Sequence, residues 1–257
     1  IRRIVGGAVR DVLLGRPHGD WDLASSATPD EVQRLFRRTI PTGVAHGTVT
    51  VIHGRGDERL HVEITTFRGE GRYEDGRRPA EVRFLRDLRE DLARRDFTIN
   101  AFAWSPIREV FTDCFDGLSD LRRGIIRAVG DPAQRFQEDG LRAMRAVRLC
   151  AVLEYRLDEA TAEAIGGALD VLDKVSRERV HVELFKLLGA RRPMLGLTPM
   201  AATKMWDRVL APLPRAELDD AIEHVERLPP DPVIRLARLL WPLRGERAAI
   251  EGVIDRL

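Results

Sequence analysis

The chain has 257 residues, 42 basic and 41 acidic side chains, a formal net charge of +1 and 44% hydrophobic residues. That content excludes a disordered chain, no apolar run is long enough to span a bilayer as a helix, and a balanced charge by itself implies no nucleic acid. Cys114 and Cys150 are too few for a disulfide framework or a cysteine zinc site, and no signal peptide is visible, which fits a reducing, cytoplasmic setting. Only positions 174, 186 and 204 are lysine, so 39 of the basic residues are arginine. Genomic base composition is one source of such an excess. Arginine is also the side chain suited to planar, bidentate contact with phosphates and base edges.

In chain order, Ile1 to Val5 reads as a strand, Gly6-Gly7 as a break, and Ala8 to Leu14 as a short helix. Paired glycines before a helix start present backbone N–H groups to an anion, and Arg10 adds a charge on the first turn. Thr28 to Arg38 reads as an amphipathic helix, capped by Thr28 with Pro29 at its first position. Gly47 to Ile52 and Leu60 to Phe67 alternate as strands around the polar turn His53 to Asp57. Arg68 to Phe84 has no hydrophobic period and reads as a mobile loop. Leu85 to Ala103 reads as one helix with Asp96 and Asn100 on a shared face, and Val110 to Phe115 as a last strand. After Leu118 the pattern is helical: Pro132 to Leu153, Thr161 to Val171, Arg177 to Leu188, Pro199 to Leu210, Ala216 to Arg227 and Pro232 to Leu239. On the first of these, Asp139, Arg142, Arg145 and Arg148 are spaced by three and form one ridge. Burial of Met144, Val147 and Leu149 opposite predicts that the ridge is exposed and cationic.

Between the first two helices lies Asp20-Trp21-Asp22-Leu23. On a strand, Asp20 and Asp22 share a face and Trp21 points the other way. Two carboxylates so close repel unless a cation stands before them, and oxygen-only ligation completed by water and substrate phosphates suits Mg²⁺. A strand end with two solvated aspartates is the other reading. Glu63, within a predicted strand, either joins them as a further carboxylate or faces solvent.

These segments form an ordered set of motifs. Gly6-Gly7-Ala8-Val9-Arg10-Asp11 precedes Asp20-Trp21-Asp22-Leu23-Ala24. Pro41-Thr42-Gly43 follows with His46-Gly47-Thr48-Val49-Thr50, then Arg94-Arg95-Asp96-Phe97-Thr98-Ile99-Asn100-Ala101. Asp116-Gly117, Asp120-Leu121, Gly130-Asp131-Pro132 and Glu138-Asp139-Gly140-Leu141-Arg142 come next, with Arg145-Ala146-Val147-Arg148, Glu178-Arg179-Val180 and Glu183-Leu184 last. Over roughly residues 1 to 188 the set resembles the class II tRNA nucleotidyltransferases, the bacterial CCA-adding enzymes and their poly(A) polymerase relatives.

The resemblance implies an α+β fold: a DNA polymerase β-like head with a mixed sheet over 1–128, a helical neck over 129–188 and a helical, RNA-binding body over 189–257. Measured against the family, the C-terminal body and tail are short. It implies that Asp20 and Asp22 hold catalytic Mg²⁺, with Glu63 a candidate third ligand. Gly7 and Arg10 would bind the triphosphate, and Arg95, Asp96 and Asn100 would contact phosphate and ribose. Asp139 and Arg142 would read the incoming base, with Arg145 and Arg148 as further nucleotide contacts. Tyr73, Asp75 and Arg77-Arg78-Pro79 leave the loop before the second half of the head intact, which favours full CCA addition or terminal A addition over CC addition. The implied partners are the tRNA acceptor end, ATP and CTP, with no membrane and no obligate protein partner.

The base-reading chemistry follows from the residue types. Cytosine and adenine both set an exocyclic amino donor beside a ring-nitrogen acceptor. A carboxylate accepts from the first and a guanidinium donates to the second. Guanine and uracil present a carbonyl and a ring N–H there, so both contacts become mismatches. His46 is the histidine nearest the motifs, and a strand-end histidine is more often structural. A poly(A) polymerase of the same family and a catalytically silent tRNA-binding protein on the same fold are the alternatives. The intact Asp20, Asp22, Asp96, Asp139 and Arg142 stand against the silent one.

Overall fold

A computed structural model describes residues 2–17, 21–44, 47–54, 59–69, 83–84, 87–211, 213 and 218–255. Asp20, His46, most of the 53–57 turn and the 70–82 segment with Tyr73, Asp75 and Arg77-Arg78-Pro79 lie outside the described residues, as does the end of the chain after Asp255. The described residues up to Arg122 form one compact unit and those from Arg123 onward a second.

In the first unit, β1 (Arg2–Val5) runs into Gly6, whose φ of 76° an L side chain adopts only with strain, and α1 (Gly7–Leu13) starts at once. β2 (Asp22–Ser25) is followed by α2 (Pro29–Leu35), which opens on a complete capping box. The Glu31 N–H donates to Thr28 Oγ1 at 3.4 Å, and the Thr28 N–H donates to Glu31 Oε2 at 2.8 Å. Such a cap contributes about 1 kcal/mol. Then come β3 (Thr39–Gly43), β4 (Thr48–His53) and β5 (Leu60–Thr66), with a two-residue pair, β6 (Arg68–Gly69) and β7 (Arg83–Phe84), after them. α3 (Leu88–Ala93), a 3-10 turn over Thr98–Asn100, β8 (Phe102–Ser105), β9 (Val110–Asp113) and α4 (Gly117–Arg123) complete the sequence of elements.

The strands form a mixed sheet in the order β3-β4-β5-β2-β1-β8-β9, and β2 with β5 is its parallel pair. Hydrophobic alternation sets the faces. Val49, Val51 and Ile64, with Leu23 and Val62, pack beneath Val32 and Phe36 of the α2 segment. The residues between them, Asp22, Glu63 and Thr50, therefore stand on the opposite face.

The second unit is helical. β10 (Ile125–Ile126) pairs in parallel with β11 (Arg156–Leu157). The helices are α5 (Pro132–Glu138), α6 (Leu141–Leu153), α7 (Glu159–Gly166), α8 (Leu169–Leu172), α9 (Arg177–Leu188), α10 (Met194–Ala202), α11 (Trp206–Val209), α12 (Leu218–Glu226), α13 (Pro232–Leu239) and α14 (Arg247–Ile254). α6 packs on α9 and α10, with Met144, Val147, Leu184, Leu187, Leu197 and Met200 all buried. Cys150 is buried there too, and burial pushes its thiol up to about 12. Among the described residues no helix is long and apolar enough to cross a membrane.

Several predicted elements change. The helix from Thr28 stops at Leu35, and β3 takes up residues 39–43, with Pro41 tolerated because β3 is a sheet edge. The single helix expected over Leu85 to Ala103 is instead α3, a turn and β8, because Phe97, Ile99 and Ala101–Ala103 are wholly buried and feed the sheet core. The helix over Pro132 to Leu153 breaks at Asp139, whose backbone is extended (φ −149°, ψ 107°). The predicted helix over Thr161 to Val171 divides into α7 and α8, and Pro199 lies inside α10 rather than opening a helix.

One buried charge ties the second unit together. The Arg235 side chain is 2% exposed, and its guanidinium donates to the carbonyls of Leu188 (2.6 Å), Ala190 (2.5 Å) and Leu228 (2.8 Å). Burial lowers its pKa, opposed by Glu226. Arg235→Met keeps much of the volume and strands three carbonyls, so the urea-unfolding free energy should fall by about 3 kcal/mol. An unchanged unfolding midpoint would show that water or a neighbouring side chain takes over those acceptors.

Candidate active site

On the open face of the head sheet, the parallel register places Asp22 directly opposite Glu63, and Glu63 opposite Thr50 on β4. Asp22 and Glu63 are both exposed. A hydroxyl pair, Thr42 Oγ1 to Thr50 Oγ1 at 2.8 Å, continues this polar row to the sheet edge. Two neighbouring carboxylates on a solvent-facing surface fit an oxygen-liganded divalent cation, with Asp20 outside the described residues.

Gly6 stands between this row and a guanidinium. A Cβ built there would lie 2.8 Å from Arg95 Nη1 and 3.9 Å from Asp22 Oδ2. Burial lowers the Arg95 pKa, opposed by the carboxylates of Asp91, Asp96 and Asp22. Asp91 is the anchor: 1% exposed, it accepts from Arg94 Nη2 at 2.6 Å and lies 3.6 Å from Arg95 Nη2. Sequence reading assigned Asp91 nothing, although its i,i+3 and i,i+4 spacing to the two arginines carries the signal.

Arg10 is held as well. Its Nη1 donates to Asn100 Oδ1 at 2.6 Å and its Nε to Asp11 Oδ1 at 2.9 Å. Asn100 Nδ2 donates to Asp96 Oδ1 at 3.0 Å, and Asp96 Oδ1 also accepts the Phe97 N–H at 2.8 Å. Asp96 and Asn100 thus meet as predicted, although by a turn rather than along a helix. Both are buried, and they fix the Arg10 guanidinium from behind. Gly7 leaves room at the same place: a Cβ there would meet Arg10 Nη2 at 3.4 Å.

In the helical unit the predicted cationic ridge is instead ion-paired and largely covered. Arg142 Nη1 donates to Glu138 Oε2 at 2.6 Å and to the Arg135 carbonyl at 3.0 Å, and Arg135 pairs with Glu138 at 2.5 Å. Arg148 pairs with the buried Glu183 at 2.7 Å, and Arg145 is half-buried. Asp139 sits at the break between α5 and α6. Its Oδ1 accepts the Leu141 N–H at 3.0 Å and its Oδ2 accepts from Arg179 Nη2 at 3.0 Å. Arg142 and Arg148 are covered because each finds a carboxylate, Glu138 one turn away and Glu183 on α9. Glu138, Arg179 and Glu183 were visible as motif residues, and their pairing was not.

Gly140 sits at the junction of α5 and α6 rather than inside one long helix. It caps α6 in a helical conformation and is required by contact: a Cβ there would lie 2.5 Å from the carbonyl carbon of Val171 and 2.5 Å from the Leu172 nitrogen. α8 therefore presses against the segment that aims Asp139 and Arg142.

Comparison with known proteins places the chain among relatives of one kind. A family profile described as "Poly A polymerase head domain" matches residues 2–127, and one described as "Probable RNA and SrmB- binding site of polymerase A" matches residues 154–217. A CCA-adding enzyme of Pediococcus pentosaceus is 47% identical over 242 residues, 93% of this chain and 60% of that protein. The crystal structure of the Bacillus stearothermophilus CCA-adding enzyme in complex with CTP is 40% identical, with a TM-score of 0.76 over 88% of this chain and 53% of that one. A tRNA nucleotidyltransferase complexed with a primer tRNA and an incoming ATP analog is 26% identical, with a TM-score of 0.74 over 97% and 75% of the two chains. The chain spans about half to three fifths of the length of the curated relatives it matches.

Gly140→Ala drives a methyl group into the α8 backbone and should lower the stability of the chain by about 2 kcal/mol, read as a lower urea midpoint. A variant as stable as the parent would show that α8 retreats freely.

Proposed function

The chain belongs to the family of class II tRNA nucleotidyltransferases and poly(A) polymerases, and we propose that it transfers nucleotides from CTP and ATP to the 3′ end of tRNA, completing CCA or its terminal A with release of pyrophosphate. The observation that carries the reading is the pairing of an exposed Asp22–Glu63 row beside Arg95 in the head with a separately clamped Asp139 and Arg142 in the helical unit. The first suits phosphoryl transfer and the second suits selection of a base. Relatives solved in complex with CTP, and with a primer tRNA and an incoming ATP analog, support the same substrates. A head over 1–128, a neck over 129–188 and an RNA-binding body over 189–257 go with the proposal.

Asp22, with Asp20 expected beside it and Glu63 opposite, would hold Mg²⁺. When bound, the metal would polarise the RNA 3′-OH and neutralise charge on the leaving pyrophosphate. The chain's own residues do the rest. Arg10 and Arg95 bind the triphosphate. Asn100 and Asp96 hold Arg10, and Asp91 holds Arg95, so neither guanidinium has to be ordered when substrate arrives. Asp11 offsets part of the Arg10 charge. Asp139 accepts from the amino group shared by cytosine and adenine, and Arg142 donates to the adjacent ring nitrogen. Glu138 and Arg179 orient these two, and rejection of UTP and GTP follows from the unpaired polar groups those bases would leave, about 10⁴-fold in favourable cases.

Three measurements test this. Asp22→Ala should cut nucleotide incorporation roughly a thousandfold while tRNA binding by gel shift persists; undiminished incorporation would remove the metal role of Asp22. Arg142→Ala should admit UTP and GTP, narrowing discrimination at least about tenfold; unchanged exclusion would place base selection elsewhere. Incubation with tRNA lacking CCA and with tRNA ending in CC separates the two products, since extension of the second alone assigns terminal A addition.

A further inference from the structure

At the same end of the head sheet as Asp22 lies a cleft that the residues above do not use. It opens where α2 gives way to β3, against the end of β4, and encloses about 420 Å³ lined by Phe36, Arg37, Arg38, Ile52 and His53 among others. Among the described residues its charge is uncompensated. Arg37, Arg38 and His53 are exposed, and among the described residues the Arg37 and Arg38 side chains make no hydrogen bond or ion pair. Arg34, one turn earlier on α2, spends its Nε on the Asp30 carbonyl at 3.2 Å. The arginines around Asp22 behave differently: Arg10 is paired with Asp11, and Arg94 and Arg95 with Asp91. Two adjacent guanidinia without a carboxylate among the described residues, in a cleft also lined by Phe36 and Ile52, suit an anion with an apolar flank, as a sugar–phosphate chain has.

Strand order gives the cleft its relation to the chemistry. Arg10 and Arg95 stand on the β1 side of Asp22, with α1 and Gly6, whereas β5, β4 and β3 lie on the other side. His53 follows Thr50, the residue in line with Glu63 and Asp22, by three positions along β4. At about 3.3 Å per residue and two strand spacings of about 4.8 Å, the cleft lies about 14 Å from Asp22. In-line transfer brings the attacking 3′-OH and the leaving pyrophosphate to opposite sides of the reacting phosphorus. With the triphosphate on the β1 side, the RNA strand that ends at Asp22 approaches across β5 and β4, toward the cleft.

We propose that Arg37 and Arg38 form a docking surface for the phosphodiester backbone of the primer RNA, a few nucleotides before its 3′ end. This rests on the nucleotidyl-transfer reading for the identity of the RNA, and the contact is to phosphate and independent of base sequence.

The test uses the whole chain, the variants R37A/R38A and R37K/R38K, and a fluorescent RNA hairpin ending in CC, with binding measured across a salt series in the absence of nucleotide. R37A/R38A should raise Kd about tenfold at 0.1 M salt and reduce the slope of log K against log salt by about 1.4, the loss of two single-strand phosphate contacts. The lysine variant should keep the parent slope, because a phosphate accepts a point charge. In extension assays the KM for RNA should rise while the KM for ATP and kcat at saturating RNA stay put. An unchanged Kd and slope would overturn the proposal, and so would a raised KM for ATP with RNA binding intact, which assigns the cations to the triphosphate. A parent chain that binds RNA with the expected variant effect and extends nothing would overturn the transfer reading alone.

Discussion

The head depends on one register. β2 and β5 run parallel, and their pairing sets Asp22 against Glu63. Two carboxylates side by side repel, so nothing in their own chemistry brings them together. The other face does. Leu23, Val62 and Ile64 alternate with them and must lie beneath Val32, together with Val49 and Val51. A slip of one residue would bury Asp22 and Glu63 and expose the apolar set, at a cost of several kcal/mol. Hydrophobic burial on one face thus holds an electrostatically unfavourable pair on the other, where a divalent cation would remove the repulsion.

A second theme is how the chain handles its arginines. Where they would meet a nucleotide, they are already fixed: Arg95 by Asp91, Arg10 by Asp11 and the amide oxygen of Asn100, Arg142 by Glu138. Pairing at partly buried positions offsets the desolvation of each guanidinium and removes the rotamer freedom it would otherwise lose on binding. Asp139 is treated the same way, between the Leu141 N–H and Arg179. The residues with the specific tasks are few, and a larger number serve to aim them. Arg37 and Arg38 fall outside this pattern, which is why they stand out.

Much of this was legible in the sequence. The β1–Gly6–α1 turn, the Thr28 cap, β4, β5, β9, α9 and α13 follow from glycine, capping and alternation signals that act within a few residues. Glu63, read as either a ligand or a solvated side chain, stands beside Asp22 by register. The errors share one cause. Leu85 to Ala103 and Pro132 to Leu153 both have helical composition, and both are broken where burial elsewhere takes over: Phe97, Ile99 and Phe102 enter the sheet core, and Asp139-Gly140 yields to the backbone of α8. Local propensity is a weak prior against contacts between residues distant in sequence.

Residue types and their order, and with them the chemistry on offer, are set along the chain: carboxylates that suit a cation, guanidinia that suit phosphate, and an aspartate with an arginine three residues on that suits a base edge. Their spacing also identified the family. Only the tertiary structure decided which of these groups meet and in what state. It turned an apparently exposed cationic ridge into clamped ion pairs, showed Asp91 and Arg179 as the partners of Arg95 and Asp139, and separated paired arginines from the open ones at Arg37 and Arg38. The reason is physical. A side chain's functional groups are a property of one residue, whereas its pairing and burial depend on the neighbours the fold brings to it, some one turn away, as Asp91 is from Arg95, and some 40 positions away, as Arg179 is from Asp139.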